Sequence, residues 1–218
     1  MLSYNRAMRS LFALAVVSLP AFAQAIEVPT FNEKELKKLA AGEMVLRDRK
    51  PTDNRGVAAE SMAIIDAPSS EVWPVIRDCG KYDQFMPRVK KTELRDENGT
   101  PICHTELKMP WPIPDLWSDN LSIIREEPSG RYARGWKMVR GMYKRNNGEW
   151  RLVPWGDDNQ KTLAVYVVDS DPGLVIPDGI LKSAQTGSLP ELFKAVRNRV
   201  VALREKPAPA KPAAPAAN

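Results

Sequence analysis

The 218 residues carry a formal net charge of +5 at pH 7, 43% hydrophobic side chains and one histidine. This is the composition of a globular chain about one domain in size, with enough apolar residues for a proper core. It excludes a His-rich metal site, the basic stripe of a nucleic-acid-binding protein, and any G-x-G-x-x-G or phosphate loop.

Residues 1–23 read as a secretory signal peptide. Arg6 and Arg9 form the basic start, 11–19 is an apolar run, and Pro20 leads to Ala21-Phe22-Ala23. The run is too short to span a bilayer, and the alternative is an uncleaved anchor beside the membrane. Cleavage before Gln24 removes two positive charges, taking the net charge from +5 to +3, and makes the periplasm or the exterior the expected location. From Lys206 a Pro/Ala tail runs to residue 218 and is expected to be extended. The expected organisation is thus 1–23 leader, 24–56 N-terminal helix and leading segment, 57–205 folded domain, and 206–218 tail.

Asn32 and Glu35 have the spacing of a reciprocal cap for a short helix ended by Gly42. Residues 44–49 and 57–65 read as strands. Ser69 opens a helix in which Val72, Val75 and Ile76 share a face, and Pro74 is expected near its start. A short turn over 81–85 follows. Further strands are expected over 89–95, 102–109, 119–125, 132–139, 148–153 and 162–169, separated by turn signals such as Asn98-Gly99. The segment 140–147 reads as a loop. A short helical piece over 178–185 then precedes the longest helical signal. There Ser188 and Glu191 have capping-box spacing, with Pro190 in the first turn. Leu189, Leu192, Phe193, Val196, Val200 and Leu203 form one apolar stripe, opposite Lys194, Arg197, Asn198 and Arg204. Such a helix needs a surface to lie on. The expectation is α+β: a curved antiparallel sheet of six to seven strands with this helix as a lid.

Three local patterns resemble the START-like superfamily, the helix-grip group that includes START lipid-transfer, polyketide cyclase and coenzyme-Q-binding proteins. The first is Ala67-Pro68-Ser69-Ser70-Glu71-Val72-Trp73, with Tyr82 and Phe85-Met86-Pro87 after it. The second, Met109-Pro110-Trp111-Pro112 followed by Asp115 and Asp119, is similar to the P-W-P-x-x-D-R-D segment of START domains. The third is Asp171-Pro172-Gly173 with Ile176-Pro177. Leu116-Trp117 stands where that family's Arg would follow the first Asp, so no role of that Arg is carried over. The resemblance covers roughly 57–203 and implies a cavity for a hydrophobic small molecule or lipid. Transient contact with a membrane surface and no cofactor are expected. A monomer is expected, with no nucleic-acid partner.

Period-two alternation puts Trp136 and Met138 on one strand face, and Trp150 and Leu152 on one face of the next. With Tyr166 and the lid residues Ile180, Leu181 and Ala184 they are the candidate cavity wall; ordinary core is the equal alternative for each. Arg140, Met142, Tyr143, Lys144 and Arg145 are the candidate gate and membrane contact, placed by the loop that gates START cavities, with Gly141 supplying backbone freedom. Cys79 and Cys103 are an even pair in an oxidising compartment, so a disulfide and two buried thiols are both open. Cys103 and His104 point to opposite strand faces, which excludes a dyad or a zinc set between them. A Cys79–His104 dyad lacks any third member. His104 is expected exposed or half-buried. Glu106, Arg134 and Tyr166 are inward candidates for proton transfer in a cyclase-type enzyme, the rival reading; charged residues more often stay outside. A third reading is an interaction module using the tail.

Overall fold

The computed structural model describes residues 25–111, 113–174 and 188–205. The expected leader, the helix expected over 178–185 with Ile180, Leu181 and Ala184, and the Pro/Ala tail lie outside the described residues. Three α-helices are described: α1 (Glu33–Ala40), α2 (Ser69–Arg77) and α3 (Leu189–Arg204). The strands are β1 (Val45–Arg49), β2 (Val57–Ile65), β3 (Val89–Glu97), β4 (Thr100–Leu107), β5 (Leu116–Glu126), β6 (Tyr132–Gly141), β7 (Arg145–Trp155) and β8 (Lys161–Asp171). They form one curved antiparallel sheet in the order β1-β2-β8-β7-β6-β5-β4-β3.

The sheet has eight strands rather than six to seven. β1 pairs with β2 from Val45↔Met62 to Arg49↔Ala58, so the leading segment belongs to the same sheet. β6 and β7 also run further than their hydropathy signals. They reach Gly141 and start at Arg145, which shrinks the expected 140–147 loop to Met142, Tyr143 and Lys144. The β3–β4 hairpin turns at Asn98 and Gly99, both at positive φ, as an Asn-Gly pair allows at low cost.

Alternation sorts the side chains onto two faces. The inner face, with α2 and α3, holds the main core: Val72, Trp73, Ile76, Phe193, Val196 and Val200 pack with Trp150, Leu152 and Ala164. Phe193 meets Trp150 edge-on at 5.6 Å. The outer face carries a second core of Val45, Met62, Val153, Leu163 and Val165 under Leu39 of α1. Asn32 caps α1 with both reciprocal bonds made.

Several local expectations change. Pro74 falls inside α2, not at its start. It removes the donor for the Ser70 carbonyl, but Ser70 is exposed, so water can replace that bond. Ser188 is itself in the helical region and caps nothing; its hydroxyl is buried without a partner. Arg197 is not on a solvated face, since its guanidinium donates to the Ile64 carbonyl at 2.8 Å and ties α3 to β2. Val200 is the last buried position of the stripe, so Leu203 stays exposed.

Candidate functional site

Between the inner face of the sheet and the first turn of α3 lies a cavity of about 260 Å³. Its polar end is deep and its rim is at one end of the sheet. The rim is made where β4 ends and β7 begins, by Leu107, Lys108, Met109 and Asn146, with Leu189 and Leu192 of α3 above. The deep wall is Tyr82, Cys103, Arg134, Trp150 and Tyr166. Consecutive strands bring Arg134, Trp150 and Tyr166 side by side, because Arg134 pairs with Trp150 and Trp150 with Tyr166 in the ladder.

The aromatic wall depends on a glycine. Trp136 stacks on Tyr166 at 5.6 Å, and its indole nitrogen donates to Asn146 Oδ1 at 3.4 Å. Its ring crosses Gly148 on the neighbouring strand, where any Cβ would overlap the ring and the Val167 carbonyl. Gly148 therefore makes the space in which Trp136 lies flat.

Four polar groups of the wall have unusual surroundings. Arg134 is 4% exposed and its Nε has no hydrogen-bond partner. Its guanidinium sits over the Tyr82 ring, 5.2 Å from the centroid. Asn120 donates to Ser118 Oγ at 2.9 Å, yet its own Oδ1 is buried and unpartnered. Burial pushes the phenols of Tyr166 and Tyr82 up, so both are protonated at neutral pH. Tyr82 donates its hydroxyl proton to the Ile76 carbonyl at 2.5 Å.

Cys79 and Cys103 are joined in a disulfide with Cα atoms 6.5 Å apart. The bond ties the 3₁₀ turn Cys79–Gln84 to β4 at the cavity wall. A Cys79–His104 dyad is thereby removed.

The structure brings together Trp136, Trp150 and Tyr166 of the candidate wall. Met138 and Leu152 do not line the cavity. Leu152 is fully buried core on the inner face, and Met138 sits at a register shift where β6 slips against β5. Residues missed in sequence are Tyr82, Met86, Leu107, Met109, Asn120, Leu189 and Leu192. The Tyr82 and Met86 positions were already within the family-like pattern after α2, and the β4 positions follow from alternation. Asn120 had no signal beyond strand parity.

The candidate gate separates into parts. Asp119 pairs with Arg140 and Asn120 with Met138, so Val139 is an extra residue in β6. This bulge turns Arg140 to the outer face, where it pairs with Glu97 at 2.7 Å and Asp119 at 2.8 Å. Arg145 lies in β7 and pairs with Asp169 at 2.9 Å. Both cations are committed to carboxylates rather than presented in a loop. Gly141 is required by close approach and not by hinge freedom: a Cβ there would lie 2.6 Å from the Trp117 carbonyl oxygen. Met142 and Lys144 are exposed, and burial pushes the Tyr143 phenol up to about 12. The Met142 amide donates to the Trp117 carbonyl at 2.9 Å, so this turn neighbours the start of β5 and the segment carrying Trp111, which is 91% exposed.

Glu106 is on the outer face too. His104 is half-buried there, bonding Asp119 at 2.7 Å through Nδ1 and Glu106 at 3.3 Å through Nε2. Burial opposes ionisation of Asp119, but the His104 hydrogen bond and the charges of Arg95 and Arg140 outweigh it and hold the carboxyl below its usual range. This network braces β3, β4, β5 and β6 on the face away from the cavity. Among the described residues there is no group of His, Cys, Asp and Glu that could hold a metal ion, and no helix long and apolar enough to cross a membrane.

Against known proteins, residues 65–197 match the family model described as "Polyketide cyclase / dehydrase and lipid transport". No curated protein matches in sequence. Among solved structures, the chain is similar to a STAR-related lipid transfer protein of Xanthomonas axonopodis, with 20% identity and a TM-score of 0.60 over 72% of this chain and 93% of that one. It is also similar to human StAR-related lipid transfer protein 5, with 15% identity and a TM-score of 0.61 over 74% and 84% of the two chains. A START superfamily protein of Mycobacterium smegmatis aligns at 18% identity and a TM-score of 0.55 over 68% and 99%. At these identities the likeness is one of fold.

Proposed function

Because the chain belongs to the polyketide cyclase / dehydrase and lipid transport family, we propose that it is an exported binding protein that holds a lipid or similar hydrophobic molecule in the inner-face cavity and shields or carries it through the periplasm. The observation that carries this reading is the cavity wall itself. Met86, Leu107, Trp136, Trp150, Leu189 and Leu192 present apolar surface that is not filled by the described residues, while a few polar groups are gathered at the deep end. That is the division of labour of a small-molecule site. Apolar burial of about 25 cal/mol per Å² supplies the affinity without any reaction.

Export rests on the leader-like 1–23 segment, and the neighbouring lipid transfer structures support the lipid. The rim is the proposed entrance. Trp111 and Met142 are exposed apolar side chains at the same end of the sheet, with Lys144 beside them. Dipped into a bilayer interface, they would set the rim against the membrane.

The test is native mass spectrometry of the exported protein purified without detergent, followed by organic extraction. One lipid-like molecule per chain is expected. An empty protein that by itself converts a polyketide-type substrate into a cyclised product would replace this reading with an enzyme.

A further inference from the structure

We infer that the cavity receives an amphiphile with an anionic end, a carboxylate or a phosphate monoester, and that this end is drawn inward to Arg134. The inference rests on the proposed function and adds to it the chemistry and orientation of the ligand. Arg134 carries a guanidinium, a rigid fork of donors, and is only 4% exposed. Among the described residues no carboxylate lies within ion-pairing distance of it. The other deeply buried arginine, Arg151, shows how this protein treats such a charge: it pairs with Glu60 at 2.6 Å and with Glu149 at 3.6 Å. Asp78, the acid whose charge acts on Tyr82, is held by Lys81 at 2.6 Å. What Arg134 has among the described residues is Tyr82, whose ring face it covers and whose phenol oxygen accepts from its guanidinium, and the cavity.

A buried cation whose described partner is one neutral phenol, with no carboxylate, is costly unless an anion arrives. The guanidinium fork suits a carboxylate or a phosphate, with two parallel charge-assisted bonds. The Tyr166 hydroxyl has no hydrogen-bond partner among the described residues and supplies a further donor on the same wall. The apolar part of the ligand then runs back along Trp136 and Leu107 toward the rim. Arg88 and Lys108, exposed at that rim, would attract an anion on entry but lie at the wrong end to hold it.

Three probes with the same chain separate the contributions: dodecanol, dodecanoate and dodecyl phosphate, each titrated below its micellar concentration and followed by tryptophan fluorescence. At least one anion should bind roughly ten-fold or more tightly than dodecanol, as a charge-assisted bidentate pair provides. A preference shown by dodecanoate alone identifies the end as a carboxylate, and by dodecyl phosphate alone as a phosphate. Arg134→Met should abolish the preference while leaving dodecanol binding in place, and Arg134→Lys should retain part of it. The double variant Arg88→Gln, Lys108→Gln should keep it. Arg134→Met should also unfold at a temperature equal to or above that of the empty wild type, since it removes an uncompensated buried charge; a purely structural Arg134 would give a lower one. Equal affinity of all three probes in the wild type, or a preference that survives Arg134→Met, overturns the inference alone. If no probe binds, the inference falls together with the proposed function.

Discussion

Two residues, Gly148 and Arg134, give the cavity its character, one by what it lacks and one by what it has. Gly148 has no side chain because Trp136 occupies the space above it. Gly148→Ala forces the indole and the β7–β8 ladder apart, at a cost of about 1–3 kcal/mol for overpacking. Urea unfolding should report the loss, and the Trp136 contribution to ligand-induced quenching should fall with it. Glu35 works differently, through charge. The Arg47 hydrogen bond, and then the Asn32 backbone amide, hold its carboxyl at about 2. A folded pKa below the unfolded one means that the contribution is complete above about pH 4.3, the unperturbed glutamate value, and is lost as pH falls through about 2. Glu35→Gln should therefore lower the urea midpoint at pH 7 and lower it progressively less in acid. A constant gap between variant and wild type down to the lowest pH would mean that Glu35 has no such coupling. Trp136, Trp150 and Tyr166 were legible as inward residues because strand parity alone places them. Arg140 was not, because a single extra residue at Val139 reverses parity, and no property of Val139 announces it.

At the scale of elements, the inner face is closed by α2, the 3₁₀ turn and α3. The Cys79–Cys103 bond fixes the turn to β4. Closing a loop of 24 residues removes chain entropy worth on the order of 3 kcal/mol from the unfolded state. Reduction should lower the denaturant midpoint correspondingly, and the Cys79→Ala, Cys103→Ala variant should match the reduced protein. Unchanged midpoints would show that the bond does not form in solution. α3 is held chiefly by Phe193, 1% exposed against Trp150. Phe193→Ala should cost about 3–5 kcal/mol, read by thermal unfolding. The element order, the Asn32 cap and the Asn98-Gly99 hairpin followed from sequence because each is a local signal. The Ser188 cap did not hold, because a chain already helical at that residue has no free first turn for the hydroxyl to cap. The strand over 44–49 is legible in sequence but its place in the sheet is not: β1 is short and half-exposed, and only its pairing with β2 makes it the eighth strand.

For the whole molecule, the two faces of the sheet have separate tasks. The outer face is braced by α1, a second apolar core and the Asp119 ion network. The inner face can then leave part of its surface unfilled. Entrance and binding are also separated along the strands, with the rim where β6 meets Gly141 and Arg134 at the deep end. Met142→Ser with Tyr143→Ser should slow transfer of a labelled lipid between vesicles and leave the amount bound at equilibrium unchanged. Wild-type transfer rates in that variant, and slow ones in Trp111→Ser, would move the membrane contact to Trp111 alone. That the cavity exists was legible only through resemblance, because an unfilled space leaves no mark on hydropathy: its walls have the same residue types as a filled core. The central claim is that this space takes up a hydrophobic molecule. The most direct measurement is stoichiometric titration of a fluorescent single-chain amphiphile into the wild type and into Thr105→Trp, which puts an indole into the cavity from β4. One molecule bound per wild-type chain, and none by a Thr105→Trp protein of unchanged unfolding temperature, is the expected result. Equal uptake by both would place the binding elsewhere and contradict the claim.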